Sequence, residues 1–264
     1  MSNNDDKIIS YFWQEQASED NPFAAASCHC AGFNVYNEVL QHANWIEYLF
    51  LLFRHQQPSQ QQAALLNALA IALANPGPRD ASVQAAMSGA AGGSTFASCL
   101  MAAIATGAGN LGGSREVMLA MQNIEQCGAE LDKWQQQLLS PPQQREDVWL
   151  PMEHPPGFDP LGVTCSSPVQ QTLQTLAELS TGKALRWLYQ YRQQLEAITQ
   201  CPLAMSGVAA AALIDLDFHP QQGEMLFLLL RLPGAAAHAL EQYEIGLTPF
   251  PFFADGLDIK GTNE

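Results

Sequence analysis

The amino-acid sequence predicts an all-α protein. Three observations lead there. Apolar residues recur at three- and four-residue spacing along most of the 264-residue chain. The strict apolar–polar alternation of half-buried strands is nearly missing. Proline and glycine fall mainly where a periodic segment would begin or end. With 47% hydrophobic residues there is ample material for a core.

The elements follow in order. "NVYNEVLQHANWIEYLFLLFRH" sets Val39, Ala43, Ile46, Phe50 and Phe53 at helical spacing. "PSQQQAALLNALAIALANPG" opens on Pro58 and Ser59, a good helix start, and stops at Pro76 and Gly77. "SVQAAMSGAAGGSTFASCLMAAIAT" is rich in small residues, which let helices approach closely. "SREVMLAMQNIEQCGAELDKWQQQLL" reads as one long amphipathic helix capped by Ser114. "SPVQQTLQTLAELS", "GKALRWLYQYRQQLEAI", "AAAALIDLD" and "GEMLFLLLRL" with "AAAHALEQYE" complete the helical set. The weakest helical stretch is 139–166. No internal repeat or low-complexity linker divides the chain.

Charge excludes some functions. The 26 acidic residues outnumber 11 basic ones, a formal net charge of -15. Nucleic acid and anionic membranes need clustered Lys and Arg and are not expected as partners. Charged residues are only 14% of the chain, which points to extra buried surface at a subunit interface. The N-terminal "MSNNDDKIIS" does not resemble a signal peptide, and "IEYLFLLF" is too short to span a bilayer; a cytoplasmic location is expected.

Motifs of general chemistry give little. Cys28-His29-Cys30 has no second Cys/His pair at useful spacing, so no metal is expected. Cys99, Cys127 and Cys201 read as buried free thiols. "GAGNLG", Gly107 to Gly112, matches G-x-G-x-x-G, but a helix precedes it where a dinucleotide fold needs a strand. "LPMEHPPGFDPLG", residues 150–162, sets His154 among four prolines. It is either a surface loop with an incidental histidine or a stiff loop that holds an imidazole in place. Ser206, in "MSGVA", is a helix cap or the partner of His154 in a nucleophilic pair.

Order and spacing carry a resemblance. The "AGFNVYNEVLQHANWIEYLFLLFRHQQPSQQQAALLNALAIALAN", "GNLGGSREVMLAM", "EHPPGFDP" and "SGVAAAALIDLDFHPQQGEMLFLLLRLPGAAAHALEQ" segments resemble, in sequence order, the citrate synthase superfamily. The similarity is greatest to its short citryl-CoA lyase branch and the C-terminal module of ATP-citrate lyase, and runs from about residue 30 to 245. It implies a large helical domain, residues 1–110 and 208–264, with a smaller helical domain, 111–207, inserted. It also implies a cleft at their junction that closes by hinge motion, and a dimer packed through the small-residue helices near 83–106.

The family's reaction passes through the enol of an acyl thioester. A carboxylate moves the α-proton, histidines polarise carbonyl oxygens and arginines clamp carboxylates. By resemblance His154 falls on the loop histidine and Arg231 on a carboxylate-binding arginine. In a rival register "PPGFDPLG" resembles the family's Pro-Gly-Phe-Gly-His-Pro, and Asp159 stands near the histidine's place. The departures are large. Ser206 replaces the catalytic aspartate of Asn-Val-Asp-Gly, and Leu161 the arginine of Asp-Pro-Arg. "NPGP", with Asn75 and Pro76, replaces Asp-His-Gly-Pro, whereas Leu111, at the histidine of His-Gly-Gly, matches the apolar residue that the ATP-citrate lyase module carries there.

Two functions follow. One is an enzyme that makes or breaks a C–C bond beside the carbonyl of an oxo or hydroxy acid, with an acyl-CoA as substrate and no permanently bound cofactor. Its base would then be Glu153, Asp159 or a water held by Ser206. The other is a non-catalytic paralogue that assembles with an active relative. His238 is expected to be a packed helix residue and not a ligand.

Overall fold

The computed structural model describes residues 9–139, 154–248 and 250–251. Helices dominate it: α1 (Leu40–His42), α2 (Trp45–Arg54), α3 (Gln60–Leu73), α4 (Ala81–Ala91), α5 (Phe96–Gly107), α6 (Ser114–Cys127), α7 (Leu131–Leu139), α8 (Ser167–Leu179), α9 (Ala184–Thr199), α10 (Met205–Asp215) and α11 (Pro220–Ile245).

The N-terminal region departs from expectation. β1 (Trp13–Ala17), β2 (Ala25–Cys30) and β3 (Phe33–Asn34) form an antiparallel sheet in sequence order. β2 and β3 join through Ala31 and Gly32, both at positive φ, which suits a two-residue hairpin. The outward face of these strands is polar and the inward face is short, so no apolar alternation marks them. Cys28 and Cys30 point inward while His29 lies on the other face, so the three cannot close on one ion. Among the described residues no cluster of His, Cys, Asp or Glu could hold a metal.

Local signals explain most helix ends. Asn44 with Glu47, and Ser59 with Gln62, form capping boxes that satisfy the first amides of α2 and α3. Segments expected to be continuous break: the first at Ala43 and Asn44, between α1 and α2, and two others at glycines. Gly92 and Gly93 separate α4 from α5, and Gly128, at φ 54°, separates α6 from α7. The expected Ser114 cap is not formed: Gly113 holds the N-cap position, and the buried Ser114 hydroxyl has no partner.

α11 runs through Pro233. Proline has no amide hydrogen to donate back along the helix. The next amide, Gly234, donates instead to Ala74 O at 2.7 Å, which ties the end of α3 to α11. A Cβ on Gly234 would sit 2.5 Å from that carbonyl.

The main core draws on α2, α3 and α6 to α11. α10 lies at its centre, with Val208 to Leu213 fully buried. A helix apolar on every side belongs in such a place. This cluster takes residues from both sides of positions 110 and 207. A second, thinner cluster, built mainly of alanines, joins α4, α5 and the end of α11. Cys99 and Cys127 are buried, whereas Cys201 is only half-buried. No helix among the described residues is long and apolar enough to cross a membrane.

Candidate functional site

The start of α10 and the loop at 154–159 are stitched together by backbone. Asp159 N–H donates to Pro202 O at 2.8 Å and Ala204 N–H to Gly157 O at 2.9 Å. Phe158 and Leu203 form an antiparallel bridge between those bonds. The approach is close enough to require glycine on both sides. Gly157 has φ +91°, and a Cβ on Gly207 would fall 2.5 Å from Gly157 O. The prolines on either side of Gly157 stiffen the strip further.

This seam delivers Ser206 and His154 to one carboxylate. Ser206 is the second residue of α10, and its hydroxyl does not cap the helix. It donates to Glu116 Oε1 at 2.7 Å. Gly157 N–H donates to the same oxygen at 2.8 Å, and Gly112 N–H to Glu116 Oε2 at 2.5 Å. Glu116 is 1% exposed, and backbone amides can only donate, so both oxygens are fixed as acceptors. His154 Nε2 lies 3.7 Å from Glu116 Oε2, beyond a hydrogen bond, and is buried without a partner.

Gly112 extends the network. Its carbonyl accepts from Arg231 Nη1 at 2.8 Å. The other Arg231 terminal nitrogen pairs with Asp80, which also caps α4 through Ser82 N–H. The Arg231 guanidinium lies 4.8 Å over the Phe227 ring. A polar spine thus runs from α4 through α11 and α6 to α10 and the loop. Buried polar groups persist where partners answer them, and along this spine His154 Nε2 is left without one.

Of the residues singled out by sequence, His154 and Ser206 meet at Glu116. Arg231 reaches the same network through one glycine and is already paired. Asp159 stands apart, its carboxylate accepting Leu161 N–H within its own turn. Glu153 lies outside the described residues. Leu111 and Leu161 are exposed. His238 bridges Glu241 and Asn75, tying α11 to the "NPGP" turn. In "GAGNLGG", which follows α5, Gly113 serves packing, since a Cβ there would strike the Gly109 carbonyl, while Gly112 belongs to the polar network.

Glu116 was missed, and the sequence held a signal for it. It shares a helix face with Ala120 and interrupts an apolar stripe continued by Val117, Met121 and Ile124. A carboxylate at such a position must be answered by donors from elsewhere in the fold.

No protein-family model and no curated protein matches this sequence. Solved structures do. The structure of citryl-CoA lyase from Hydrogenobacter thermophilus superposes with a TM-score of 0.73 at 15% identity, covering 95% of this chain and 94% of that one. ATP citrate lyase from Methanothrix soehngenii, solved with citrate and coenzyme A, gives 0.70 at 15% identity over 97% of this chain. This chain covers 43% of that enzyme. Citrate synthase from Thermoplasma acidophilum gives 0.61 at 17% identity over 84% of this chain and 59% of that one.

The fold is citrate synthase-like. At 15–17% identity the likeness carries backbone architecture and no residue roles. This citrate synthase-like chain therefore has to be read from its own side chains.

Proposed function

We propose that this protein is a divergent citrate synthase-like enzyme that makes or breaks a C–C bond beside the carbonyl of an oxo or hydroxy acid, with an acyl-CoA as the other substrate. One observation carries the reading. A carboxylate, Glu116, lies 2.7 Å from Ser206, the position where the sequence resemblance calls for a carboxylate base.

Forming the enol of a thioester requires a base for the α-proton. In this reading Glu116 accepts that proton from α6, in place of an aspartate on α10. The Ser206 hydroxyl and two backbone amides fix its direction. His154, with Nε2 uncommitted, is available to donate to a carbonyl oxygen as charge develops there. Because Glu116 is 1% exposed, substrate entry requires the 154–159 loop to part from α10. Arg231 would then exchange Asp80 for a substrate carboxylate.

The test is an assay of purified protein with acyl-CoA and 2-oxo acid pairs, followed by free-thiol release, and with citryl-CoA, followed by cleavage. Turnover that is lost in Glu116→Gln while the fold persists supports the proposal. Absence of turnover with every pair overturns it.

Arg231 favours a second reading. Its guanidinium is spent on Asp80, Gly112 O and Phe227, so the spine works as internal bracing. The chain would then be a non-catalytic paralogue that assembles with a related active chain. Co-purification with such a relative, together with no turnover by this chain alone, would favour it.

A further inference from the structure

A cavity of about 380 Å³ lies among α6, α7, α9 and α10. Gly157 and Gly207 of the seam and Ala120 of α6 line it, whereas Glu116 and Ser206 do not. Trp134 and Trp187 line one wall, and Tyr191, outside the lining, stacks on Trp187. Trp134 and Trp187 are 5.3 Å apart at 22°, and Trp187 and Tyr191 are 5.1 Å apart at 25°. The Trp134 indole N–H is already given to Gly128 O at 2.9 Å, so this ring turns an apolar face inward. Ile124, Ile214 and Phe158 supply the aliphatic and aromatic remainder, and Ala120 and Ala211 leave room between the helices.

The polar groups at its edge offer little to a charged ligand. Asp215 is fully committed: it accepts Ala184 N–H at 2.8 Å, Leu185 N–H at 3.1 Å and the Ser180 hydroxyl at 2.6 Å. These bonds cap α9. Lys183 and Asp217 stand exposed at the mouth and are of opposite sign. A site with apolar walls and a balanced rim selects by shape and hydrophobicity.

We infer that this cavity is a binding site for an uncharged, largely apolar small molecule carrying an aromatic ring. The ring packs against the wall formed by Trp134 and Trp187, and the remainder fills the space beside Ala211. Neither Glu116 nor Ser206 lines the cavity, so probe binding there is read separately from turnover.

The experiment uses N-phenyl-1-naphthylamine, a neutral aromatic probe, with the full-length protein. The expected result is a saturable rise in probe emission at a single probe per chain, with energy transfer from tryptophan. Ala211→Phe, which fills the cavity, should abolish it with the helical circular dichroism unchanged, and Ile124→Trp fills the same space from α6. In Trp187→Phe, energy transfer should fall while the protein stays folded. No saturable binding by the wild type overturns the inference, as does undiminished binding in a folded filled variant or unchanged energy transfer in Trp187→Phe.

Discussion

Glu116 concentrates the energetics of the site in one side chain. Its oxygens accept two backbone amides and the Ser206 hydroxyl, all away from solvent. Glu116→Gln replaces one acceptor oxygen with an NH₂ group that must face a backbone N–H. Leaving a buried donor unanswered costs about 1–3 kcal/mol, so urea unfolding should show a loss of that size. Ser206→Ala removes one donor and keeps both amides, so about 1 kcal/mol is expected by the same measurement. Ser206→Asp adds the aspartate that the resemblance calls for, yet sets a second carboxylate against Glu116 in a buried space. Like charges there repel, and an unpaired buried charge costs about 3–5 kcal/mol. That variant should be markedly destabilised and should gain no family-like turnover; normal stability would contradict the geometry around Glu116. Cys165, which faces Glu196 and Arg192, tests a separate pH response. Burial, and then Glu196, push its thiol above the ordinary cysteine value. The folded state holds this proton more tightly than the unfolded one. The resulting stabilisation is present below the unfolded thiol value and is lost as pH rises through the folded value. Peptide mapping after iodoacetamide treatment should show slow Cys165 labelling at neutral pH in the folded protein. Labelling should accelerate only above the usual thiol range, and urea should abolish the protection.

At the scale of elements, the seam between the 154–159 loop and α10 decides whether the site exists. Gly207→Ala places a methyl group 2.5 Å from the Gly157 carbonyl, a backbone atom that cannot rotate aside. Either the loop lifts or α10 shifts, and overpacking of this kind costs about 1–3 kcal/mol. Faster hydrogen exchange at the Ala204 amide, which is bonded to Gly157 O, would mark the seam as the place that yields. Helices were legible in the sequence because their signals are local: Ser59 with Gln62 starts α3, and apolar spacing carries α6 and α9. The β1–β3 sheet was not, since its strands are paired by backbone and carry polar outer faces. The two breaks at Gly92–Gly93 and Gly128 were read through, because a glycine within an apolar rhythm does not announce a positive φ. Half of the site was legible for the same reason. His154 and Ser206 stood out in unusual local sequence, whereas Glu116 becomes a site residue only when a loop 41 positions away donates to it.

The whole molecule leaves one face unfinished. The cluster of α4, α5 and the end of α11 is thin, with Ala86, Ala90, Ala103, Ala235 and Ala239 supplying most of its buried contacts. Outside it, α5 exposes Phe96, Met101 and Ile104, and α11 exposes Leu240, Tyr243 and Ile245. Phe96 and Tyr243 meet edge to face at 5.3 Å, so the apolar surfaces of the two helices adjoin. Large apolar side chains over an alanine core invert the usual order of a monomer, and charged residues are only 14% of the chain. A second copy placed across a two-fold axis would bury these side chains against themselves, and such self-complementary contact is the commonest route to a dimer. Size-exclusion chromatography with light scattering should therefore give twice the 28.7 kDa chain mass. The paired change Met101→Lys and Tyr243→Lys sets like charges at such an interface while leaving the alanine core intact. It should yield a monomer with a lower melting temperature and a loss of concentration dependence. A monodisperse wild-type monomer, or a dimer indifferent to both lysines, would show that this face is covered by something other than a copy of the chain.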